Sequence, residues 1–183
     1  MEFVKSFKQT KLIKYMFIAL LGSILLALSA KIKIPFYPVP MTMQTLVVLC
    51  IGICFGWKLG MVTISLYLFE GIIGMPVFSG TPEKGLGIVY FTGPTMGYLI
   101  GFIVTGFIAG KFNYDNNLIN NFLKLSFATS FIYIFGIAWL GFLIGWDKPI
   151  FKLGAQPFLL AELFKILIAT LAVKQIKKLR NII

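Results

Sequence analysis

The chain has 183 residues, 58% of them hydrophobic, a mean hydropathy of +0.92 and a net charge of +11. That apolarity lies far above a soluble domain and places the chain in the membrane class, with a length that suits one domain. Histidine is absent, which removes the commonest metal ligand and the commonest general base.

Crossing the hydrocarbon of a bilayer takes ~20 apolar residues, with ~17 as the low end. Six runs qualify, near 14–30, 41–57, 59–78, 91–110, 122–145 and 157–173. They predict an all-α, six-helix transmembrane bundle in a single domain, 1–183.

The first span carries Ala19, Ser23 and Ala27, one small residue every fourth position, with Gly22 beside them. Such a stripe lets another helix approach closely. It packs either inside its own bundle or against a separate membrane protein. The lysines before this run and Leu28-Ser29-Ala30 at its end also resemble a secretory leader. Cleavage there would leave five spans, and the six-span reading is preferred.

Pro35, Pro38 and Pro40 then exclude a helix and predict a stiff, extended link that presents Phe36 and Tyr37. It is either a connector or a lid over a ligand. Thr42 and Gln44 follow at the mouth of span two. Cys50 and Cys54, one turn apart in an apolar run, read as ordinary reduced thiols. No His, third Cys or carboxylate stands nearby to make a metal site.

Spans two and three are separated only by Trp57, Lys58 and Leu59 between Gly56 and Gly60, which predicts a tight antiparallel hairpin there. Glu70, within span three, has no partner nearby in sequence. It is either protonated or faces a cavity. Residues 78–90 form a polar, glycine-containing link. Phe91 heads span four, Gly93-Pro94-Thr95 opens its helix, and Tyr98 follows about one turn later.

Span six holds Glu162 and Lys165. A charge near the middle of a membrane helix costs roughly 2.5–3.5 kcal/mol. Positions i and i+3 share one face, so that face turns to a partner or a polar cavity rather than lipid. Either the two form an ion pair against Tyr or Ser neighbours, or they floor a ligand pocket. At 1.5 Å per residue Glu162 lies about 8 Å and Lys165 about 12 Å below Pro157.

An even number of spans puts both termini on one side. With the ends in the cytoplasm, eleven basic residues lie inside, five lie outside, and Lys165 is within a span. The positive-inside rule supports that orientation. The net charge follows from it, so no nucleic-acid partner is expected. No phosphate loop of the G-x-x-x-x-G-K-[ST] type is present, and no internal repeat of the kind used for alternating access aligns.

Several runs, in order, are similar to the BioY family, the substrate-binding S-components of energy-coupling factor (ECF) biotin transporters. They are Pro35-x-x-Pro38-Val39-Pro40-x-Thr42-x-Gln44-Thr45-Leu46, Gly56-x-Lys58-Leu59-Gly60 and Gly71-x-x-Gly74-Met75-Pro76-Val77-Phe78. They continue with Gly93-Pro94-Thr95-x-Gly97-Tyr98-Leu99-x-Gly101-Phe102, Gly136-x-x-Trp139-Leu140, and Gly154-x-x-Pro157-Phe158 leading to Glu162-x-x-Lys165.

The resemblance implies a multi-pass protein of the bacterial cell membrane that captures biotin at the extracellular side. It performs no catalysis and needs no cofactor or metal. It also implies a partner T-component and two cytosolic ATPases that alone use ATP, with the stripe Ala19, Ser23 and Ala27 facing the T-component. Glu162 and Lys165 would bind ligand, with Gln44, Thr42, Tyr98, Pro94, Phe91 and Tyr37 as the remaining candidates. Three departures stand out. The family has aspartate where Glu162 stands, more glycine after Phe78, and an aliphatic residue at Glu70. The alternatives are another small vitamin on the same architecture, a small intramembrane enzyme using Glu70, Glu162 and Lys165, or a structural subunit.

Overall fold

The computed structural model describes residues 2–180, with side chains over 11–180. Apolar runs free of interior proline form the helices: α1 (Glu2–Lys31), α2 (Gln44–Ile72), α4 (Met96–Lys111), α5 (Leu118–Ile144) and α7 (Leu159–Arg180). Two short helices, α3 (Gly87–Phe91) and α6 (Ile150–Gly154), sit in the links, and a single 3-10 turn, Gln156–Phe158, leads into α7. The proline-rich link is pinned by a minimal antiparallel ladder, β1 (Lys33–Ile34) against β2 (Met41–Thr42), with Lys33 opposite Thr42.

α2 is two helices. Gly56 has φ 72° and ψ 176°, a backbone conformation open in practice only to glycine, and the run reverses there. Gln44 Nε2 donates to Tyr67 Oη at 2.6 Å, although 23 residues of straight helix would hold them roughly 35 Å apart. A methyl on Gly60 would lie 3.7 Å from Gly52 Cα. The hairpin therefore turns at Gly56 itself, and residues 57–59, expected to form the turn, are helical. With two arms in α2, the bundle has six helices: α1, the arms 44–55 and 57–72, α4, α5 and α7.

Small residues set the packing distances. A methyl on Gly52 would meet Ala109 Cβ at 2.8 Å and Gly106 O at 2.9 Å, and one on Gly101 would meet Ile132 Cα at 2.7 Å. The backbones of α2, α4 and α5 thus approach as glycine-rich membrane helices do.

The expected ends of several spans shift. Span three stops at Ile72, after which turns carry Phe78 back into the core, where it is 1% exposed. Span four begins at Met96, because residues 92–95 form the turn after α3. Span six starts two residues late, at Leu159, and continues to Arg180.

The basic residues segregate by face. Gly56, Tyr114, Lys177 and Arg180 meet at one end: Lys177 Nζ donates to Tyr114 O at 3.0 Å, and the Arg180 guanidinium lies against Gly56. In the loop at this end, the backbone N–H of Asn117 and the Asn120 side chain hold the Asp115 carboxyl below the usual carboxylate range. Lys31 and Lys33 lie at the opposite end, on the turn carrying Phe78. The lysine-rich end is therefore cytoplasmic and includes both helical termini of the bundle. Lys5 and Lys8, counted as inside, fall outside the described side chains.

The small-residue stripe of α1 faces inward, not toward a partner. Ser23 is 0% and Ala19 3% exposed. Ser23 Oγ lies 2.9 Å from Glu70 Oε1 and 2.9 Å from Leu20 O. Ala27 packs on the core that contains Leu26 and Tyr67. The expectation that this stripe meets the T-component is corrected: the second arm of α2 covers it. The opposite face of α1 is the exposed one, with Leu20, Leu21, Ile24 and Leu25 about half-exposed.

Candidate functional site

The first turns of α7 place Glu162 and Lys165 on one inward stripe, 5% and 7% exposed at their side chains. The start of α2 stands opposite. Lys165 Nζ donates to Thr42 O at 2.7 Å and Thr45 Oγ1 at 3.0 Å, and approaches Glu162 Oε2 at 3.4 Å. Those three contacts use all the protons of an ammonium. Because the ammonium donates only, Thr45 accepts from it and turns its own proton to Glu162 Oε2, at 3.1 Å. Tyr133 Oη donates to the same oxygen at 3.0 Å. A hydroxyl, a phenol and an ammonium thus converge on one carboxylate oxygen. Glu162 Oε1 is buried and has no hydrogen-bond partner among the described residues. A buried acceptor left unused is costly, so this atom is where a donor on a ligand gains most.

The pair floors a cavity of about 50 Å³ below the outer loops, walled by Thr42, Gln44, Tyr98, Phe102 and Tyr133. Its roof is aromatic. Phe78 stacks on Tyr90 with centroids 5.2 Å apart, and Ser79 Oγ lies 3.0 Å from Tyr90 Oη. The roof is tied down from outside: Lys31 Nζ donates to the carbonyls of Phe78 and Thr81, both at 2.9 Å, and Lys33 Nζ to that of Ser79 at 2.6 Å.

Of the residues singled out in the sequence, the structure brings Thr42, Gln44, Tyr98, Glu162 and Lys165 to this cavity. Tyr98 lends its ring edge, since its hydroxyl donates to Gly154 O at 2.7 Å. Three do not reach the wall. Tyr37 is 89% exposed, because β1 and β2 turn the proline link outward around it. Pro94 lies in the turn fixed by Trp139 Nε1 on Gly93 O, 2.9 Å. Phe91 packs behind Phe78, centroids 6.3 Å apart. Glu70 turns to α1 instead of the cavity.

Sequence reasoning passed over Thr45, Tyr133, Ser79, Tyr90 and Phe158, which also line the cavity. For Tyr133 there was a signal: a phenol within an apolar span needs a partner for its hydroxyl, and the nearest need lay on Glu162.

A polytopic bundle with a hydrogen-bonded ion pair at the base of a small aromatic cavity defines an integral membrane protein built to hold a small polar solute. Comparison with known proteins makes the class specific. The chain belongs to the BioY family, whose family model matches residues 4–181. It is 33% identical to the probable biotin transporter BioY of Pyrococcus horikoshii, over 84% of this chain and 90% of that one. It is equally 33% identical to the biotin transporter BioY of Thermotoga maritima, over 85% and 90%. Its fold matches the crystal structure of an S-component for biotin from an ECF-type ABC transporter with a TM-score of 0.77, covering 92% of this chain and 93% of that chain at 23% identity.

Proposed function

We propose that this chain is the biotin-capturing S-component of an ECF-type transporter, loading from the outer face. A partner T-component and two cytosolic ATPases drive import. The chain itself makes and breaks no bonds.

The supporting observation is the unused oxygen of Glu162, a residue that lines a mixed polar and aromatic cavity. Biotin carries two ureido N–H donors, a ureido carbonyl, an apolar bicycle and an acidic tail. In this reading one ureido N–H donates to Glu162 Oε1. The carbonyl takes the Lys165 proton that now makes the longest of its three contacts, 3.4 Å to Glu162 Oε2. Rings of Phe78, Tyr90 and Tyr98 cover the bicycle.

About 50 Å³ is room for a water or two, and biotin needs several times that. Loading therefore requires the roof carrying Phe78 and Ser79 to lift, which loosens the Lys31 and Lys33 contacts.

Titration calorimetry of the purified protein tests the assignment. Saturable heat with biotin at one site per chain is expected. Heat with thiamine or riboflavin and none with biotin would reassign the ligand, and turnover of a lipid by the isolated chain would overturn the binding role altogether.

A further inference from the structure

A second hollow, about 680 Å³, lies on the lipid-facing flank between α5 and α7. Its walls include Ile134, Ile137 and Ala138 of α5 and Leu159 and Leu163 of α7. The hydroxyls along it are turned away: Thr129 Oγ1 donates to Leu125 O at 2.8 Å and Ser130 Oγ to Phe127 O at 2.7 Å. Ser126 Oγ and Glu162 Oε1 are themselves buried, and the surface offered is almost wholly carbon.

Three features specify the occupant. From Ser126 to Ala138 the hollow runs about 18 Å along α5, close to the ~15 Å that one leaflet contributes to the hydrocarbon core. Its outer mouth is marked by Phe151 and by Trp146, the latter folded so closely over Gly141 that a methyl there would meet the indole at 2.5 Å. Tryptophan favours the headgroup level. Finally, two lysines lie close in sequence to these mouth residues, Lys148 after Trp146 and Lys152 after Phe151. Lys148 pairs with Asp147 at 3.1 Å, whereas exposed Lys152, next to Phe151, makes no ion pair or hydrogen bond among the described residues.

We propose that this groove seats one acyl chain of an outer-leaflet phospholipid with an anionic headgroup, its phosphate held at Lys152. The chain closes the lateral flank of the bundle behind Tyr133 and Glu162, which line both hollows. The inference is independent of what the inner cavity binds.

Native mass spectrometry of the full chain in mild detergent tests it, with phosphatidylglycerol and phosphatidylcholine as probes. The unmodified protein is expected to retain one phosphatidylglycerol. Ala138→Trp, at an exposed position on the groove wall, should lower retention by about fivefold, the effect of roughly 1 kcal/mol. Ile134→Trp serves the same purpose should the first variant not fold. Lys152→Gln should bring phosphatidylglycerol down to the level of phosphatidylcholine. Leu171→Trp, exposed on α7 outside the groove, should change nothing. Equal retention in the groove-filled and unmodified proteins, or equal loss in Leu171→Trp, overturns the site. So does a protein that holds no lipid but whose Ala138→Trp variant no longer assembles with its membrane partner, since the groove would then seat a protein helix.

Discussion

Glu162 and Glu70 are the same residue type, each within about a turn of an outer helix end, yet the bundle treats them differently. Glu162 is buried, with three groups on one oxygen and none on the other. Glu70 is half-buried, has a hydrogen bond from Ser23, and lies between α2 and α1 rather than on the cavity. A carboxylate in a membrane span is therefore not in itself a ligand group. What separates the two is that neighbouring elements fix one oxygen of Glu162, leave the other unpaired, and bring the residue to the cavity.

The largest expected effect comes from stranding Glu162. Lys165→Ala leaves a buried charge uncompensated, a loss of ~3–5 kcal/mol. It should lower the melting temperature in detergent and weaken biotin binding at least about tenfold, or 1.4 kcal/mol. An unchanged dissociation constant would remove the ammonium from the site.

Next come the groups that hold Oε2. Tyr133→Phe deletes one hydrogen bond to a charged group, worth ~1.5–3 kcal/mol, and Thr45→Val deletes both its bond to Glu162 and the one it accepts from Lys165. Calorimetry should show weaker biotin binding for both, with Thr45→Ser restoring most of the loss. A Thr45→Ser variant as weak as Thr45→Val would assign the effect to packing of the methyl group.

Tyr98→Phe separates ring from hydroxyl. It should cost ~1 kcal/mol of stability through the lost bond to Gly154 O and leave affinity nearly intact. A large affinity loss would mean that the phenol contacts the guest directly.

The smallest effect is expected at the second carboxylate. Glu70→Gln should alter biotin affinity by no more than about twofold, within the ±0.5 kcal/mol usual for groups outside a site. A loss comparable to that of Lys165→Ala would erase the distinction between the two acids.

Much of this was legible beforehand. The shared stripe of Glu162 and Lys165 follows from helical spacing, and the structure shows it as an intrahelical ion pair that also lines a cavity. The stripe on α1 was misjudged, because small residues at fourfold spacing signal close helix contact but not whose helix makes it. Tyr37 and Phe91 were misplaced for a related reason: alternation within a loop does not reveal which ring turns inward until β1, β2 and the turn after Ile72 are assembled. Replacing Ala19 and Ala27 by tryptophan would consequently disturb the bundle itself before reporting on any partner.

By itself the sequence determined the membrane class, the six crossings and their direction. Those depend on hydrocarbon transfer costs and lysine placement, which accumulate residue by residue along the chain. Only the tertiary structure decided which oxygen of Glu162 stays unused, because its partners Thr45 and Tyr133 stand 117 and 29 residues away. No local propensity reports on bonds between segments that far apart. They exist only once α2, α5 and α7 have packed.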